Sequence, residues 1–125
     1  MNSTNSNKIL VCIDFQEQSM NALHQCYDLA RFVKAEILLL YVIESPDLFS
    51  GFTLSNIENA KREVEEKLKK IVEKECSATD ILFSYAVEVG KVPECILRKA
   101  KEQKVNFIVM GKNGTNQGLR KFLGS

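Results

Sequence analysis

Four short apolar runs punctuate the chain, and each has the length of a strand. Lys8–Ile13 (KILVCI), Glu36–Val42 (EILLLYV) and Val105–Met110 (VNFIVM) are almost continuously apolar. Such runs predict strands buried on both faces, as in parallel sheets. Ile81–Val89 (ILFSYAVEV) alternates in part and is the third strand in chain order.

Between the runs the period changes to that of a helix. Leu23, Cys26, Tyr27, Ala30 and Val33 mark one helix from about Ser19 to Lys34. Residues 43–54 contain Ser, Pro and Gly and read as a loop. Ser55 and Glu58 then form an S-x-x-E capping box. The helix that follows runs to about Cys76, with an apolar stripe of Ile57, Ala60, Val64, Leu68, Ile71 and Val72. Its charged face offers Glu63–Lys67, Glu65–Lys69 and Glu66–Lys70 as i,i+4 pairs, which makes it a solvated face rather than a nucleic-acid patch. Gly90 ends the third strand, and Pro93 opens a last helix to about Gln103.

The order is β-α-β-α-β-α-β followed by GKNGTNQGLRKFLGS. Alternation of this kind predicts an open parallel α/β sheet with helices on both faces, and right-handed crossovers leave few topologies, among them the Rossmann-like strand order 3-2-1-4 expected here. Ligands of such sheets sit beyond the carboxyl ends of the strands where the order reverses. Asp14 and Gly111 end the first and fourth strands, and with the order 3-2-1-4 they are neighbours at that point.

Length and composition fit this picture. The 125 residues, 45% hydrophobic and 26% charged, suffice for one soluble domain. Residues 1–7 read as a disordered tail and 8–125 as the domain. No run approaches a membrane span, and the polar N-terminus does not read as a signal peptide, so a cytoplasmic location is expected. Cys12, Cys26, Cys76 and Cys95 form no CxxC pair and His24 is the only histidine. The cysteines are therefore expected as small buried hydrophobes, without metal. Net charge is +1, but residues 91–125 carry +6 and residues 1–90 carry −5. This positive pole is either a solvated helix face or a field for a phosphate-bearing ligand.

The tail has four of the six glycines, at Gly111, Gly114, Gly118 and Gly124. Glycine-rich loops of free N–H groups bind anions. Neither the Walker A pattern nor G-x-G-x-x-G is present. Gly111, Gly114, Gly124 and Ser125 instead fit G-x2-G-x9-G-[ST]. Together with Asp14, the Glu17/Ser19/Ala22/Leu23 spacing, LLYV, the segment Gly90–Leu97 and IVMG, this signature resembles the universal stress protein family.

The resemblance implies a site for ATP or AMP, with Mg²⁺ as a possible companion. Asp14 and Val42 would flank the adenosine, with Cys12 lining the same pocket. Met110 and Gly111 would lie by the ribose and base. Gly114, Gly124 and Ser125 would wrap the phosphates. Asp14 is alternatively a cap for the first helix, and Gly111 and Gly114 are alternatively plain turn glycines. Phe15 stands where the family often has a small residue and is expected to crowd the pocket. Asn113 removes a charge common in the family. A nucleotide-dependent dimeric regulator of stress response is implied, as a homodimer or tandem pseudo-dimer. The alternatives are a nucleotide-free interaction module and a slow ATPase. The family usually continues past Gly-Ser with a helix and a fifth strand, so the fourth strand is expected to be an open edge.

Overall fold

The run Asn7–Cys12 forms β1 at the centre of the sheet, and its apolarity has a direct cause. Ile9 and Val11 face one layer of helices while Leu10 faces the other, and all three are fully buried. The computed structural model describes residues 7–44, 54–111 and 118–121, with only the backbone at 54, 55 and 118–121. Asn7, expected in the tail, is already paired with Ala35, and its side-chain amide donates to Val33 O at 2.6 Å.

The chain continues through α1 (Glu17–Gln25), α2 (Tyr27–Val33), β2 (Ala35–Glu44), α3 (Leu54–Ala78), β3 (Phe83–Gly90), α4 (Val92–Gln103), β4 (Phe107–Met110) and β5 (Gly118–Lys121). The sheet order is β3-β2-β1-β4-β5. β1 through β4 are mutually parallel, which is the expected 3-2-1-4 order. Helices α1, α2 and α3 cover one face, where Ile9, Ile37 and Leu39 pack with Ala22, Leu23 and Leu68. Helix α4 covers the other, placing Cys95, Ile96 and Ala100 on Leu10, Leu38 and Leu40. Right-handed crossovers require this division, because the order grows one way from β1 to β3 and then returns to β4.

Four sequence expectations need correction. The single first helix is two, divided at Cys26, whose ψ is 0° and whose N–H bonds back three residues to Leu23 O. The helix after the loop begins at Leu54, so Ser55 lies inside α3 rather than capping it. None of the three Glu–Lys pairs closes among the described residues, and Lys67 instead sits 5.2 Å over the Phe15 ring. The edge of β4 is not open: β5 pairs with it antiparallel, from Phe107↔Lys121 to Met110↔Gly118. This strand comes from the glycine-rich segment itself, which satisfies β4's outer N–H and C=O groups.

Within the layer of α1, α2 and α3, polar contacts add to the apolar packing. Glu75 is buried on α3, and Tyr27 donates its hydroxyl hydrogen to Oε1 at 2.6 Å. His24 Nε2 lies 3.8 Å from Oε2. His24 thus has a structural neighbour, although it is exposed rather than set in the apolar face.

Candidate functional site

β2 outruns β1. The β1–β2 register ends at Cys12↔Leu40, and Ile13 N–H adds a last bond to Leu40 O at 2.8 Å. β2 then continues against β3 alone as far as Glu44↔Gly90. Bonding alternates along a central strand: Ile37 N–H bonds to Leu82 O on the β3 side, whereas Leu40 O serves the β1 side. Val42 has the parity of Leu40. Among the described residues, its N–H and C=O therefore face a notch that β1 has vacated.

The turn after β1 closes this notch on one side. Asp14 N–H donates to Ser19 Oγ at 3.2 Å, and Gln16 N–H donates to Asp14 Oδ1 at 2.9 Å. Ser19 Oγ–H donates in turn to Gln16 O at 3.1 Å. The helix-cap alternative for Asp14 is corrected, since Gln16 is the N-cap of α1 and makes no side-chain cap bond. Asp14 builds a local turn instead, and the second oxygen of its exposed carboxylate has no partner among the described residues. Phe15 has φ of 64°, which explains why a residue without a Cβ suits this position. Its ring does not line the cleft. It stacks on Tyr41 at 4.9 Å, toward α3.

Gly111 closes the other side. A Cβ there would lie 2.5 Å from Gln18 O and 2.7 Å from Ser19 Cα, so α1 approaches the end of β4 only because the residue is glycine. The turn-glycine alternative thus gives way to a packing role at this position.

Cys12, Asp14, Val42, Met110 and Gly111 come together around one cleft of about 250 Å³ at the carboxyl ends of β1, β2 and β4. Gly114, Gly124 and Ser125, like Lys112 and Asn113, lie outside the described residues. The cleft also takes in Ser19, Tyr41, Glu44 and Val92, which sequence reasoning did not assign. Tyr41 was visible as the aromatic of LLYV. Glu44 carried no signal, because Ser45 and Pro46 made its surroundings read as loop. A larger hollow of about 450 Å³ lies at the opposite end of the sheet, between Lys34, Glu36 and Asp80. It holds none of the expected residues and lies at the strand ends where such sheets seldom bind ligands.

The cleft is not a thiol site. Burial, helped by the charge of Asp14, pushes the Cys12 thiol up to about 11, so it remains protonated near neutral pH. Burial likewise pushes Cys26 up to about 12. Cys26 and Cys95 are buried as expected, but Cys76 is exposed. Among the described residues the cleft is lined by two acids, Asp14 and Glu44, and by no base. Part of the basic pole is committed elsewhere: Arg98 and Lys99 reach Glu88 at 3.0 and 2.8 Å.

These features define an open α/β domain with a polar cleft at the point where the strand order reverses. The chain belongs to the universal stress protein family, whose model matches residues 5–125. Among solved structures, one similar to it is a universal stress protein family member from Burkholderia pseudomallei, at 24% identity and TM-score 0.71, covering 85% of this chain and 81% of that one. Universal stress protein UspA from Lactobacillus plantarum is 21% identical with TM-score 0.70, over 88% and 79% of the two chains. An Arabidopsis thaliana family protein solved with AMP bound is 16% identical with TM-score 0.61, over 86% and 78%. No protein with a curated description matches by sequence. No helix among the described residues is long and apolar enough to cross a membrane.

Proposed function

We propose that this chain binds an adenine nucleotide, ATP or AMP, in the cleft between the ends of β1, β2 and β4. The observation that carries the reading is the notch at Val42. An N–H and a C=O side by side, free of β1, match the acceptor and donor on the Watson–Crick edge of adenine. The free oxygen of Asp14 suits a ribose hydroxyl. Cys12 and Met110 supply an apolar floor. By the family resemblance, Gly114, Gly124 and Ser125 would receive the phosphates, with Mg²⁺ accompanying ATP. The AMP bound to the Arabidopsis relative supports this reading. Action through occupancy, as a cytoplasmic dimeric regulator in stress response, is the role that the family resemblance implies.

Calorimetry with ATP, AMP and adenosine tests it. Binding of ATP should weaken with added salt, and Asp14→Ala should weaken adenosine and ATP alike. Absence of binding by all three would favour the nucleotide-free interaction module. One observation points that way: packing against Gln18 and Ser19 accounts for Gly111 without a ligand.

A further inference from the structure

We propose that Glu44 sets the base selectivity of this cleft by accepting a hydrogen bond from an exocyclic amine, so that 6-amino purines are preferred over 6-oxo purines. The inference rests on the nucleotide reading above and adds a residue to it. Glu44 lines the cleft with Val42 and Asp14. It follows Val42 by two positions on the same strand, so both side chains stand on the α4 face of the sheet. Its register partner is Gly90, so no cross-strand side chain occupies the space beside it. Gly90 has φ of 149°, and a Cβ there would meet Cys95 Sγ at 3.1 Å, which keeps that position bare.

The carboxylate of Glu44 makes no ion pair or hydrogen bond among the described residues, in contrast to Glu75 and Glu88. An ionised carboxylate is an acceptor only. An amino group at purine C6 has two hydrogens. With one on Val42 C=O, the other is directed outward along β2, toward Glu44. A 6-oxo group in the same pose would set an acceptor against both oxygens, and its N1–H would confront the Val42 N–H. The two acids also leave this end of the cleft unsuited to phosphate, which orients the ligand with its phosphates away from Glu44.

The test compares adenosine and inosine binding to the native chain and to Glu44→Gln, which keeps the shape but offers an amide donor to a 6-oxo group. The adenosine-to-inosine preference should fall about tenfold, consistent with loss of one charge-assisted bond. Glu44→Ala should also lower the preference, with a smaller gain in inosine affinity than Glu44→Gln, because it removes the opposing acceptor without adding a donor. A preference unchanged within about twofold, or an equal loss for both nucleosides, would overturn the role of Glu44 while leaving the nucleotide reading intact. Failure of the native chain to bind adenosine would overturn the nucleotide reading and this proposal with it. Matching thermal midpoints for native and variant chains show that the comparison reads binding rather than folding.

Discussion

Replacing Gly111 by alanine separates the two reasons a glycine can stand beside a ligand cleft. The added Cβ would lie 2.5 Å from Gln18 O, 2.6 Å from Gln18 C and 2.7 Å from Ser19 Cα. All three are backbone atoms at the start of α1, so no side chain can swing aside. Ordinary contact begins at 3.4 Å, so α1 and the end of β4 must part by about 0.9 Å. Overpacking of this kind costs about 1–3 kcal/mol. For a domain of this size the midpoint should fall by about 3–5 °C for each kcal/mol. Gly111→Ala should therefore melt about 8 °C lower by calorimetry with no nucleotide present. Because Ser19 holds the Asp14 turn, adenosine affinity should fall too. Gly114→Ala serves as the contrast: under the phosphate reading it weakens ATP and leaves the ligand-free midpoint in place. A Gly111→Ala midpoint within about 1 °C of the native one would refute the packing argument.

Tyr27→Phe keeps the ring contact with Phe83 but removes the hydroxyl donor from buried Glu75. It should cost about 2 kcal/mol in urea unfolding, since a hydrogen bond to a charged group is lost in a buried place. A second replacement, Glu75→Met, should recover part of that loss, and a larger combined loss would contradict it. For Glu88, hydrogen bonds from Lys99 and Arg98 hold the carboxyl below its ordinary range. A depressed folded value means the stabilisation is present above the unfolded value, about 4.3. It disappears as pH falls through the folded value. Glu88→Gln should thus be less stable than the native chain by about 0.5–1 kcal/mol at pH 7, with the gap closing below pH ~4. A gap that widens toward acid would reverse the assignment.

The strands and their order were legible because burial on both faces leaves a sequence little freedom: KILVCI, EILLLYV and FIVM can hardly face water. The break at Cys26 left no trace, since it needs no Gly or Pro and costs only a local change of ψ to 0°. The ends of α2 and α4 were read at about Lys34 and Gln103 from the apolar period, although their caps carry no glycine. Each helix ends in the left-handed region at a lysine, Lys34 and Lys104, where glycine is the usual signal. The site was half legible. Asp14 and Gly111 interrupt apolar runs and could be seen. Glu44 depends on β2 running four residues past its last β1 partner, a property of two strands that neither sequence carries alone. β5 was missed for the opposite reason, because Gly-Leu-Arg-Lys has neither alternation nor β-branched residues.

The departures from local preference are unevenly distributed, and their position is informative. Phe15 at φ 64°, the Val42 edge without β1, the unpaired Glu44 and the tight Gly111 contact all fall at the carboxyl ends of β1, β2 and β4. A left-handed non-glycine residue alone costs about 1–2 kcal/mol. Stacking on Tyr41 and the Lys67 ammonium over the ring offset some of this at Phe15. Nothing comparable offsets the unpaired groups of Val42 among the described residues. The amino ends of the same strands behave differently: Lys8 N–H reaches Asn106 Oδ1, Asn106 N–H reaches Lys8 O, and Ile37 N–H reaches Leu82 O. A sheet whose amino end is bonded in this way, and whose carboxyl end keeps donors and acceptors without a partner among the described residues, gains most from a ligand that fills the second end. On that argument adenosine should raise the melting midpoint, and Phe15→Gly, which removes the backbone strain but also the Tyr41 contact, should reduce that gain by loosening the wall of the cleft.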